Sequence, residues 1–394
     1  MSEGSKKKNY VRCLGKTLGI TALAFILSYL FMAPFSVSTA AFFSTPEKND
    51  FTITDFYNIV ADSRAVSHLD DHVVVINIDN SDRQEIADIL QIVSLCGPKA
   101  IGLDVMFDDR RDGDEVLHDA FRACPGLVMP LSMRPENDPM LFHINSSSYF
   151  YPDGEADTLK LGVEYAAASM PSKYEGSMVR EMQTFFPTIS GDTVISFPAA
   201  LVRLADEEAY NRLRARGNRL EYVNFHSRRF AILEPESLME NADTISGRVV
   251  LIGAIHELGD LHPTPVNSAM PGVLIHAHSI ATVMDGAYME RLPQWMNVMI
   301  GFLLCFIVVF THVTFRSGAL GLLLRLIQLG LLWVTVQVGY WFFIYHNLII
   351  DFSYALVMLA FGLFACDIWN GVYTIIKNLI EKYRQKNEKS NTTI

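Results

Sequence analysis

The chain has 394 residues, 50% of them hydrophobic, and a net charge of −11. That apolar share and a positive mean hydropathy are too high for an ordinary soluble enzyme, and the polar middle excludes a bundle of membrane helices alone. The charge is segregated: residues 47–292 hold 20 Lys+Arg against 38 Asp+Glu (−18), and the remainder holds 12 against 5 (+7). An acidic middle repels phosphates, which argues against nucleic acid as a partner.

The N-terminus, MSEGSKKKNYVRCLGK, is basic, and no charged residue occurs from Thr17 to Thr45. At a rise of about 1.5 Å per residue, some 20 residues cross the hydrocarbon, so this stretch suffices for one membrane helix. Ser38 and Ala40 offer a small-residue cleavage site, so a signal peptide competes with an uncleaved anchor. The apolar run Thr17–Phe35 is long for a signal sequence and favours the anchor. Either reading exports the acidic middle, because Lys6, Lys7, Lys8, Arg12 and Lys16 hold the N-terminus inside.

From His72 to Pro130 the pattern alternates. VVVINID (73–79), KAIGLDVMF (99–107) and GLVMP (126–130) read as strands, with helices over Ser81–Leu95 and Asp114–Ala123 between them. Ser81 and Gln84 have the spacing of a capping box, and Gly97 suits a helix C-terminus. Such alternation predicts parallel strands joined by right-handed crossovers. Beyond it, MRPENDP and NSSS read as loop, Leu161–Ala167 and Val179–Phe186 as strands, and Ile195–Leu213 as one helix. The stretch from Arg248 to Gly286 then joins a buried strand (Val249–Ile252), a loop dense in ionisable groups, and a helix from about Val273 to Gly286.

After Gly286 come three more membrane-length segments, Trp295–Phe315, Leu326–Tyr345 and Phe352–Ile368. Arg316 and Arg325 mark the first intervening loop as cytoplasmic, and Lys377, Lys382, Arg384, Lys386 and Lys389 mark the tail. The expected organisation is an N-terminal segment and first span (1–46), an exported α/β domain with a mostly parallel wound sheet (47–292), three further transmembrane α-helices (293–370) and a basic cytoplasmic tail (371–394). Of five cysteines, Cys96 and Cys124 fall in the exported domain, where pairing and burial as free thiols are both open.

Several stretches carry a resemblance: VVVINID, GPKAIGLDVMF, EGSMVR (175–180), FFP (185–187), SFPAALVRLA (196–205), SGRVVLIGA, GDLHPTPV and MPGVLIHAHSIATVMDG, with three spans after them. In this order they resemble the type-two CHASE domain, the extracellular sensory module of bacterial cyclases and histidine kinases. The resemblance implies sensing. Family members usually carry an output domain after the last span, whereas residues 370–394 are too few for a catalytic core, so a separate cytoplasmic or membrane output protein is the expected partner.

Asp79 ends the first strand, Asp104 lies at the end of the second, and Asp260 and His262 come after the late one. If these strands are parallel neighbours, the carboxylates converge at one sheet edge, where ligands of α/β sheets usually sit. Capping of helices and loops is the competing role of each Asp. His256 sits in the same loop, and Arg180, in a Gly-x-x-x-Arg turn, is placed to pair with a carboxylate at that edge or to make an ordinary structural ion pair. His276 and His278 stand two apart on the helix and face different ways. No HExxH, P-loop, GxSxG or GxGxxG motif is present. These six residues, Asp79, Asp104, Arg180, His256, Asp260 and His262, are the candidate ligand site, with no metal, no cofactor and no catalytic role assigned. The expectation is a sensor in the bacterial inner membrane, in contact with lipid and an extracytoplasmic ligand, with homodimerisation open. The alternatives are a structural subunit of an envelope complex and a metal-dependent hydrolase at the aspartate edge.

Overall fold

Three short apolar runs, Val73–Ile76, Ile101–Leu103 and Val249–Ile252, have side chains that alternate between two covered faces, as central strands of a parallel sheet require. The computed structural model describes residues 3–37, 52–64, 68–136, 141–147, 150, 162–171, 177–226, 228–315 and 318–391. It divides into two units, one spanning Pro46–Met289 and the other Met1–Thr45 with Glu290–Ile394.

The sheet of the first unit has seven strands: β1 (His68–Asn77), β2 (Ala100–Asp104), β3 (Leu127–Pro135), β4 (Phe142–Ser147), β5 (Glu164–Ala167), β6 (Arg228–Leu233) and β7 (Val249–Gly253). Their order is β6-β1-β7-β2-β3-β4, with β5 also on β3, and every pair is parallel except β3 with β4. The last strand in sequence, β7, is therefore wedged between the first two. Register sets Gly253 of β7 beside Asn77 on one side and Asp104 on the other.

The longer helices of this unit are α2 (Ile53–Arg64), α3 (Arg83–Leu95), α4 (Asp114–Ala123), α5 (Phe197–Ala205), α6 (Glu207–Ala215) and α7 (Gly272–Met284). One face of the sheet, with Val74, Ile76, Ile101, Leu103, Val250 and Ile252, packs on Ile86, Leu90 and Val93 of α3 and on Leu117 and Phe121 of α4. The other, with Val73, Val75, Val249 and Leu251, packs on Phe197 and Leu201 of α5, Leu213 of α6, and Val273 and Ile280 of α7. Each fully buried aliphatic side chain contributes about 2 kcal/mol. Gly102 lets α5 approach: a Cβ there would lie 2.8 Å from both Leu201 Cδ1 and Phe197 Cζ.

Four local expectations need correction. The capping box of α3 is Asp82 with Glu85, not Ser81 with Gln84: Asp82 Oδ1 accepts from Glu85 N at 2.9 Å and Glu85 Oε2 from Asp82 N at 2.9 Å. Ser81 is held in the preceding turn by its N–H to Ile78 O, so the N-cap is Asp82 and the helix starts at Arg83 rather than Ser81. The expected helix over Ile195–Leu213 is two, because Asp206 is extended (φ −153°) and its carboxylate caps α6 by accepting from Ala209 N. The expected strand Val179–Phe186 is broken into Glu181–Met182, paired with Glu221–Tyr222, and Phe185–Pro187, paired with Thr193–Ile195. Asn218 Oδ1 takes the Phe185 N–H between them. The polar stretches MRPENDP and NSSS are in part strand, since β3 runs to Pro135 and β4 returns beside it over Phe142–Ser147, and residues 137–139 and 148 of these stretches lie outside the described residues. Cys96 and Cys124 are both free thiols, hydrogen-bonded to Ile92 O and Leu90 O.

The second unit consists of α1 (Glu3–Val37), α8 (Gln294–Thr314), α9 (Gly318–His346) and α10 (Ser353–Asn391). Among the described residues four segments are long and apolar enough to cross a membrane: Val11–Phe31, Gln294–Thr314, Gly321–His346 and Ser353–Arg384. Small residues let these helices approach closely, as expected where lipid removes the hydrophobic drive between helices. A Cβ on Gly301 would sit 3.0 Å from the Ala355 backbone, and one on Gly362 would sit 3.2 Å from Cys305 Sγ.

Candidate ligand-binding site

Wedging β7 between β1 and β2 brings three chain segments to the carboxyl edge of the sheet. Asp104 terminates β2, and the loop leaving β7 carries Asp260 and His262 back over it. This loop is fastened by a short antiparallel pairing of Leu261–His262 with Met270–Pro271 and by a turn in which Thr264 N and Oγ1 both donate to Asn267 O. Asp260 then reaches the first turn of α7, where its Oδ2 accepts from Gly272 N at 3.1 Å, a favourable place for a carboxylate at the positive end of a helix. The position demands glycine in space rather than in φ: a Cβ on Gly272 would lie 2.5 Å from Asp260 Oδ2. His262 Nε2 lies 3.2 Å from the other carboxylate oxygen, Oδ1.

One turn further along α7, His276 points at the same place. Its ring is buried, 5.1 Å from the Phe197 ring, and Nε2 stands 4.0 Å from Asp104 Oδ2. Between them opens a cleft of about 310 Å³ lined by Asp104, Met106, Ser132, Met170, Asp260 and His276 among others. Burial, with the nearby charge of Asp260 adding to it, pushes the Asp104 carboxyl up to about 7. Burial also holds the His276 imidazole down at about 4, so it is neutral at physiological pH. A protonatable carboxyl beside a neutral ring that lacks a close partner can accept hydrogen bonds from a ligand at this edge.

The six candidates separate into three groups. Asp104, Asp260 and His262 share this cleft. Asp79 and His256 do not line it. Asp79 lies just past β1 and accepts backbone N–H groups of Ile255 at 2.6 Å and His256 at 2.8 Å, with His256 Nδ1 on its other oxygen. Burial opposes its ionisation, but these hydrogen bonds outweigh it and hold Asp79 at about 2. Its role is to fasten the loop after β7. Arg180 joins neither set. Its Nε and Nη2 clasp the two oxygens of Asp55 on α2, each at 2.8 Å, and Asp55 is fully buried. The ion pair at the cleft edge is thereby replaced by a structural one.

His276, Ser132, Met106 and Met170 were not among the sequence candidates. The signal for His276 was its place one turn into a helix that comes after the ionisable loop. Ser132 and the methionines had none, because they arrive from β3 and from neighbouring connections. His278, two residues on, faces away: its ring packs on Phe225 and Phe230, with Nδ1 3.3 Å from Asn224 O, and burial lowers it to about 3. Among the described residues no three of His, Cys, Asp and Glu are grouped to hold a metal ion.

No curated protein and no solved structure matches this chain. A family model for the CHASE2 domain matches residues 34–312, which takes in the whole sheet unit and the helical residues that flank it on both sides. With its four apolar helices and its wound parallel sheet, the chain is a multi-pass membrane protein that belongs to the CHASE2 family of extracellular sensory domains.

Proposed function

We propose that the chain is an extracytoplasmic sensor of the bacterial inner membrane, with both ends in the cytoplasm, which binds a small polar ligand in the Asp104–Asp260–His276 cleft and relays its presence to a separate output protein. One observation carries the reading: a carboxylate and a buried imidazole face one cleft at the carboxyl edge of the sheet and do not satisfy each other, at 4.0 Å. The relay is supported by connectivity. The helix bearing His276 ends at Met284, and α8, the next apolar helix, begins at Gln294. A ligand that holds Gly272–Met284 in one position biases a two-state element through its differential affinity. Binding without turnover is the proposed chemistry, since neither His262 nor His276 has a Ser, Thr or Cys as its hydrogen-bond partner among the described residues.

The test uses Met170→Cys in a Cys96→Ser background of the full chain. In intact spheroplasts a membrane-impermeant maleimide labels Met170→Cys, and a crosslinker placed at Tyr383 in the tail reaches the output protein to a different extent when Asp104 is changed to Asn. Labelling by a permeant reagent alone places the cleft in the cytoplasm and ends the reading.

A further inference from the structure

The cleft has a charge and hydrogen-bonding pattern that specifies more than a polar ligand. Asp104 and Asp260 both face it, and no Lys or Arg among the described residues lines it. Asp260 already serves Gly272 N and His262, whereas Asp104, with its side chain 14% exposed, makes no hydrogen bond among the described residues. His276 is a second, independent sign. Its side chain is 5% exposed, it makes no hydrogen bond among the described residues, and it is aimed into the cleft toward Asp104 Oδ2. A buried polar ring without a partner is costly.

The 4.0 Å between His276 Nε2 and Asp104 Oδ2 is too long for a direct hydrogen bond. One tetrahedral nitrogen donating two bonds of about 2.8 Å spans about 4.6 Å, so these two groups part by about 0.6 Å to share one. In the tautomer that carries its proton on Nδ1, the neutral His276 ring offers Nε2 as an acceptor, and both groups then want a donor. Two carboxylates and, among the described residues, no Lys or Arg in the lining want a positive one. Anions are repelled, and among the described residues a divalent ion lacks the grouped ligands it needs. Met106 and Met170 supply adaptable apolar surface beside the carboxylates. A volume of about 310 Å³ lies at the small end of ligand sites.

We propose that the cleft binds a small organic ammonium, whose nitrogen donates to Asp104 and His276 and whose methylene groups lie against Met106 and Met170. The proposal rests on the reading of this cleft as the ligand site of the sensor.

It is tested by calorimetry on the full chain in lipid nanodiscs, with 1,4-diaminobutane and 2-aminoethanol as probes and 1,4-butanediol as the neutral match. At pH 8 an amine binds and the diol does not. Asp104→Asn, which preserves shape, weakens the amine at least tenfold while hydrogen exchange across Gly272–Met284 in the free protein stays as in the parent. The titratable groups around Asp104 are Asp260, Glu257, His262 and His276. Aliphatic amines stay protonated to about pH 10, so the amine affinity falls as pH drops through about 7 and the carboxyl takes up a proton, approaching tenfold per pH unit. Binding of the diol as tight as that of the amines, or an Asp104→Asn protein that binds amines like the parent, overturns the ammonium assignment. So does the absence of any amine binding. If the diol binds and Asp104→Asn abolishes it, the ammonium class falls while the cleft stands as the ligand site. Exclusion of the impermeant label from Met170→Cys instead removes the sensor reading beneath both.

Discussion

Replacing Asp79 by Ala removes the one acceptor that holds the backbone of Ile255 and His256, at 2.6 and 2.8 Å. The carboxyl is held at about 2 against an ordinary 3.8, with its side chain 14% exposed. At about 1.4 kcal/mol per pH unit, that gap corresponds to about 2 kcal/mol of stability from the ionised form. Because the folded value is the lower one, this contribution is complete above about pH 4 and disappears as pH falls from about 4 to about 2. The loss falls on the loop that delivers Asp260 and His262, so hydrogen exchange read by mass spectrometry on peptides covering residues 253–262 is the assay. About 2 kcal/mol corresponds to roughly 30-fold faster exchange at neutral pH for Asp79→Ala. Asp79→Asn, which keeps a neutral acceptor, falls between the two. Exchange within twofold of the parent in the Ala protein refutes the idea that Asp79 fastens this loop.

Arg180→Ala leaves the fully buried Asp55 carboxylate without its clasp and costs about 3–5 kcal/mol, seen as lost protease resistance of residues 46–289. Adding Asp55→Ala restores part of that resistance, and no restoration in the double variant counts against the pairing. Gly272→Ala inverts the usual sign of a helical Gly→Ala change: a gain of up to about 1 kcal/mol becomes a loss, because the new Cβ would displace the Asp260 carboxylate 2.5 Å away. Slower exchange across Gly272–Met284 in that protein would contradict the packing described.

The membrane helices and the parallel character of the sheet were legible in the sequence. Both are written in local signals: run length for the spans, and alternation of apolar strands with amphipathic helices for the sheet. The helix near Asp114–Ala123 was legible because the acidic first turn and the apolar face both lie within ten positions. Three of the failures had a side chain that diverts a backbone hydrogen bond, at Asp82, Asp206 and Asn218, and the fourth is strand because β4 returns beside β3. Asp206 splits a helix that composition alone makes continuous, and Asn218 interrupts a strand from 33 residues away.

What the sequence alone determined is the division into an acidic wound-sheet unit and a set of apolar helices, together with the convergence of Asp104 and Asp260 once the strands are parallel. What only the tertiary structure decided is which ionisable groups meet. The insertion of β7 between β1 and β2 sends Asp79 to the loop backbone, and the seating of α7 turns His276 toward Asp104. Arg180 finds Asp55, 125 positions away in the chain. The reason is one of range. Periodicity reports which face of an element is covered, but the partner of a charged side chain depends on strand order and helix seating, which the summed packing of two cores sets and no single segment encodes.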